Sequence, residues 1–170
     1  LVSDEKKFKV KRIRKNILDN PISDDFEQLI SDFVEFDKDY VYSLEKYANA
    51  KKKMQKFEQA YRYVDEISSK LISDINLLEN EMNLIDTALN GNKSKKDVME
   101  KDNPTISNRI SIAMRGFSGN SYGPTKTQIN SFEIAKKQWN RIKPRIINFI
   151  ESVENKIQFL ESKGSPKIID

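Results

Sequence analysis

The chain has 170 residues, 37% of them hydrophobic and 33% charged, with no histidine and no cysteine. Without imidazole or thiol, Ser/His/Asp and Cys/His nucleophile arrangements and disulfides are excluded, and no apolar run approaches the ~18 residues of a membrane span. The net charge of +4 resides in residues 1–21, where Lys6, Lys7, Lys9, Lys11, Arg12, Arg14 and Lys15 face Asp4, Glu5 and Asp19; the rest of the chain balances, so the basic stripe expected of a nucleic-acid face is missing.

Residues 1–20 read as a strand-like linker from a preceding β domain. Phe8 and Val10 fall on one side of an extended Lys6–Arg14, and Ile13 breaks the alternation. A lone strand must either pack on the remainder of the chain or complete a sheet elsewhere, and the second reading is preferred. The chain opens at Leu1 without a methionine or a signal-peptide pattern, which fits a processed product or a piece of a longer protein.

Residues 21–163 are expected to form an all-α antiparallel bundle of three long helices and one short one. Asn20-Pro21 marks a turn, and Ser23 or Asp24, with Glu27 in capping-box register, starts a helix to about residue 58. Its stripe is Phe26, Phe33, Tyr40, Tyr47 and Met54, joined by Leu29, Ile30, Phe36 and Leu44, the apolar face of a packed helix. No glycine or proline separates Pro21 from Gly91, and one helix over that interval would be about 100 Å long. A reversal is therefore expected near residues 58–64. The next stripe, Val64, Ile67, Leu71, Ile75, Leu78, Met82, Ile85 and Leu89, ends at Asn90-Gly91, where glycine can take the left-handed conformation of a C-cap.

Residues 91–104 read as a polar loop, longer than most bundle connections. Its Asp97, Glu100 and Asp102 lack the spacing of a calcium loop. A short helix over 105–115 carries Ile106, Ile110 and Met114. The turn Gly116-Phe117-Ser118-Gly119-Asn120-Ser121-Tyr122-Gly123-Pro124 has no Gly-Lys-Ser/Thr and no preceding strand, so it does not read as a phosphate loop. Thr125 with Gln128 forms a T-x-x-Q capping box for the last helix, 125–162. That helix buries Phe132, Ala135, Trp139, Ile142, Ile146, Phe149, Val153, Ile157 and Leu160, is expected to bend at Pro144, and stops at Gly164, leaving 164–170 as a tail. The carboxylate neighbours Asp24/Asp25, Asp37/Asp39 and Glu79/Glu81 lie on helix surfaces among lysines and lack the concave cleft of a glycosidase pair. No catalytic residue, cofactor or metal is assigned to this chain.

From Ala88 onward one string is irregular enough to carry a resemblance: Ala88-Leu89-Asn90-Gly91, Pro104-Thr105-Ile106-Ser107 with Arg109-Ile110, Gly116, Gly123-Pro124-Thr125-Lys126-Thr127-Gln128, and Phe132-Glu133-Ile134-Ala135. It resembles the C-terminal helical region of bacterial sortilin-like proteins with BNR-type repeats, large β-propeller proteins often labelled glycosyl hydrolase. The chain departs from them at Gly164-Ser165-Pro166-Lys167, where the family tends to end in Gly-Ala-Pro-Trp.

The resemblance implies a non-catalytic extracytoplasmic module that packs against its own propeller or another envelope protein, with any hydrolase activity residing in the propeller. Apart from the resemblance, Gly91, Gly123, Pro124, Thr125 and Gln128 have structural readings as caps and a turn and Trp139 as a seam residue, and Arg109 with Glu133 is expected to pair across helices. Two other readings stay open. One is an autonomous coiled-coil adaptor binding a partner helix; the other is an accessory lid, with loop 91–104 or turn 116–124 covering a propeller's mouth. A closed bundle favours a monomer, an adaptor concentration-dependent oligomers.

Overall fold

A computed structural model describes residues 24–60, 69–117 and 123–167. It is an all-α bundle of α1 (Asp24–Gln55), α2 (Phe57–Ala60), α3 (Ser69–Asn90), α4 (Lys93–Asp97), α5 (Ile106–Phe117) and α6 (Lys126–Ser162). The strand-like reading of residues 6–14, the Ser23 cap, Val64, Ile67 and most of the 58–64 reversal lie outside the described residues. Within them α1 ends at Gln55, where the Lys56 N–H donates to the Lys53 carbonyl, three residues back, at 3.1 Å. That tighter turn closes α1 before the one-turn α2, which buries Phe57 completely.

Helix α6 is the spine, packing against α1, α3 and α5. All nine seam residues from Phe132 to Leu160 are buried, because apolar residues at alternating spacings of three and four stay on one side of a helix. Pro144 does not interrupt it. The residue whose carbonyl loses its donor, Asn140, is exposed, and water can replace the missing bond. At the far end Gly164 takes φ +94°, with Ser165 N–H donating to the Leu160 carbonyl and Gly164 N–H to that of Glu161, the paired bonds of a Schellman stop.

On α1 the sevenfold run Phe33, Tyr40, Tyr47 and Met54 is buried, joined by Phe36. On α3 Leu71, Ile75, Ile85 and Leu89 are buried, while Leu78 and Met82 are partly so. One expectation is corrected. The loop 91–104 contains α4, begun by Asn92, whose side chain accepts from the Ser94 N–H. Met114 is exposed; α5 buries Ile106, Ile110, Ala113 and Gly116 and packs Phe117 on the core. The small Ala113 and Gly116 let α5 lie close to its neighbours, a role methionine's bulk does not serve.

Candidate functional site

The corner between α5 and α6 gathers most of the residues singled out in the sequence. Thr125 Oγ1 accepts from the Gln128 N–H at 3.4 Å, and Gln128 Oε1 accepts from the Thr125 N–H at 2.8 Å, completing the capping box. Gln128 then packs on Gly116, where an added Cβ would stand 2.5 Å from Oε1 and 2.9 Å from Pro124 Cβ. Gly123, at φ +83°, leaves room for the Phe26 ring, which an added Cβ would approach to 2.8 Å. Gly91, at φ +88°, ends α3 with its N–H on the Thr87 carbonyl at 2.8 Å. Each of these residues has a steric or capping reason for its identity.

Trp139 is also structural, but with a polar partner the sequence did not reveal. Its ring is 1% exposed, and its Nε1–H donates to Asp39 Oδ2 at 3.1 Å, satisfying a group that is costly to bury alone. Lys143 Nζ donates to the other oxygen at 2.6 Å. Burial raises the Asp39 pKa, yet the hydrogen bonds from Lys143 and Trp139 outweigh it and hold the carboxyl below its ordinary range.

Arg109 and Glu133 do not form the expected pair: no ion pair among the described residues joins them. Arg109 Nε is buried without a hydrogen-bond partner, as are Asp37 Oδ1 and Gln138 Oε1.

Tyr40 Oη and Ser107 Oγ lie 3.0 Å apart between α1 and α5, Lys53 and Glu154 pair at 3.8 Å between α1 and α6, and further polar contacts join α3 to its neighbours. Arg145 on α6 grips Glu81 with two parallel bonds, Nε to Oε1 at 2.7 Å and Nη2 to Oε2 at 2.8 Å. Lys156 donates to Asp74. Between α1 and α3, Tyr47 Oη lies 3.1 Å from the Met82 carbonyl and 3.0 Å from Asp86 Oδ1, while Lys51 Nζ donates to Asp86 Oδ2 at 2.5 Å. Burial and then the Asp86 carboxylate push the Tyr47 hydroxyl pKa well up, so it stays a proton donor. An open groove of about 370 Å³ runs beside this cluster, lined by Leu44, Ala48, Lys51, Asp86 and Leu89 among others.

Chemically this arrangement binds helices to one another. Among the described residues, the carboxyls clearly displaced from their ordinary range, Asp39, Asp74, Glu81 and Asp102, are all displaced downward. A general acid needs the opposite shift, so these four act as fixed anions. Among the described residues no group of three or more acidic side chains could hold a metal ion, and no helix is long and apolar enough to cross a membrane. No protein-family model matches the chain, and no curated protein or solved structure matches it.

Proposed function

We propose that this chain is a non-catalytic helical-bundle module from the C-terminal end of an extracytoplasmic β-propeller protein of the sortilin-like, BNR-repeat type, packing against the propeller or mediating assembly. The observation that carries the reading is the α5–α6 corner. The residues of the family-like string, Gly116, Gly123, Pro124, Thr125 and Gln128, are used there for close packing and capping. Such use fits a module whose role is shape rather than chemistry. The downward-held carboxyls, each bonded to a lysine, an arginine or backbone N–H groups, support the same non-catalytic role.

The test is the size of the native protein, read by immunoblot of source cells with an antibody raised against this chain. A species far larger than 19.8 kDa, carrying propeller repeats by peptide mass fingerprint, is expected. A native species of this size overturns the reading. It would favour the adaptor alternative, for which the sevenfold pairs Val34/Val41 and Leu77/Leu84, all exposed, would be partner-facing.

A further inference from the structure

Asn90-Gly91 is the one Asn-Gly pair in the chain, and it closes α3. Asparagine before glycine is the pairing most open to deamidation, because the following residue has no side chain to obstruct its backbone nitrogen. That nitrogen attacks the asparagine Cγ, an N–Cγ bond forms, and the amide leaves as ammonia, taking the proton that the attacking nitrogen gives up. Water then opens the resulting five-membered succinimide at either carbonyl. One opening gives aspartate; the other gives isoaspartate, with the side-chain carbon inserted into the backbone. The reaction needs neither an oxidant nor a metal.

The fold holds both reacting groups. Gly91 N–H donates to the Thr87 carbonyl at 2.8 Å, which keeps the nitrogen in the helical ladder. Asn90 Oδ1 accepts from the Ser107 hydroxyl at 3.2 Å, and Ser107 Oγ lies 3.0 Å from Oη of the buried Tyr40. One chain of hydrogen bonds thus joins α1, α5 and α3 through the Asn90 amide. Asn90 is nevertheless exposed, and a helix end opens far more often than the whole molecule unfolds. Reaction requires only that the last turn of α3 let go and that Ser107 release the amide.

We propose that Asn90 is a spontaneous modification site gated by opening of the α3 end, and that its isoaspartate form no longer closes the corner between α3 and α5. Gly91 holds φ +88° in a space where one added Cβ would stand 3.1 Å from Thr105 Cγ2 and 3.2 Å from Asp102 Oδ2, so an extra backbone carbon beside it has no room. The new negative charge also falls at a helix C-terminus, where the dipole disfavours it, one turn from Asp86 and close to Asp102. The chemistry is independent of what the module is attached to.

The purified chain is incubated at mildly alkaline pH, natively and in denaturing guanidinium chloride, and cut with trypsin after Lys70 and Lys93. Chromatography with mass spectrometry then resolves fragment 71–93 into its asparagine, aspartate and isoaspartate forms. Conversion is expected in both samples, about tenfold or more slower in the native chain, where the helix end must first open. Ser107→Ala, which removes one hydrogen bond to the amide, should speed native conversion about fivefold and leave the denatured rate unchanged. Arg145→Gln, which loosens α3 elsewhere, should leave both rates unchanged. Asn90→Gln, whose longer side chain closes only a less favourable six-membered ring, should abolish conversion; conversion persisting in that variant assigns it to another asparagine and overturns the proposal. Equal native and denatured rates, no native conversion, or a native rate indifferent to Ser107→Ala overturn it equally. The isoaspartate form, separated from the parent, should melt at a lower temperature, and matching melts would overturn the loss of the corner.

Discussion

Helix α6 meets its partners in two different ways. Toward α1 and α5 the contact is mainly aromatic: Phe132 on α6 stands edge-on to Phe33, Phe36 and Phe117, Tyr40 meets Trp139 at 4.9 Å, and among the described residues a single close ion pair, Asp39–Lys143, borders the rings. Toward α3 the buried contributors are aliphatic, Leu71, Ile75, Ile85 and Leu89, and the margin carries Glu81–Arg145 and Asp74–Lys156. Rings bury large areas with few rotatable bonds, so the first contact rests on volume and shape. The ion pairs are partly exposed and screened by water, so they contribute little energy and act mainly on which residues face one another.

The largest expected effect breaks the aromatic side. Trp139→Ala should cost about 3–5 kcal/mol through the cavity it leaves and the loss of a partner for Asp39, read as a lower denaturant midpoint. A midpoint unchanged by this substitution would contradict the packing of α1 on α6. Next comes the α5–α6 corner. Gly123→Ala puts a methyl group 2.8 Å from the Phe26 ring at a positive φ and should cost about 1–3 kcal/mol. Gly116→Ala is sharper in sign. Helix propensity alone favours alanine by roughly 0.5–1 kcal/mol, but the close approach to Gln128 and Pro124 should turn the net change destabilising.

On the α3 side, Arg145→Gln should cost at most about 1 kcal/mol, since both partners of its pair are partly exposed. A cost several times larger would mean that α3 is held by charge rather than by its aliphatic seam. The smallest effect is in pH. The folded-state pKa values of Asp39 and Glu81 are depressed, so their contribution is present above the unfolded carboxyl range, near pH 4, and is lost as pH falls through the folded values. Asp39→Asn should flatten that acid slope by a few tenths of a kcal/mol, because the carboxyl is partly exposed. Melts between neutral pH and about pH 2 would measure it.

How much was legible depended on how local the cause was. The α6 seam and the Thr125/Gln128 cap were readable because apolar periodicity and capping chemistry act within a few residues. The α4 turn was not, since Lys-Ser-Lys-Lys-Asp has no apolar period and its start rests on one Asn92 side chain. Met114 shares the helical spacing of Ile106 and Ile110 yet is exposed, and the buried small residues Ala113 and Gly116 carry no hydrophobic signal strong enough to be read along the chain. Arg109 and Glu133 were matched by charge alone, without knowing how α5 lies against α6.

By itself the sequence determined an all-α bundle, most of the inward-facing residues of its three long helices, and where α3 and α6 stop, at Gly91 and Gly164. These follow from backbone geometry and apolar spacing along a few turns. Only the tertiary structure decided that Asp39 serves Trp139 and Lys143, that Glu81 receives Arg145, and that Phe26 fills the space at Gly123. Those partners lie far apart along the chain, and their meeting is set by how the side chains of neighbouring helices interlock.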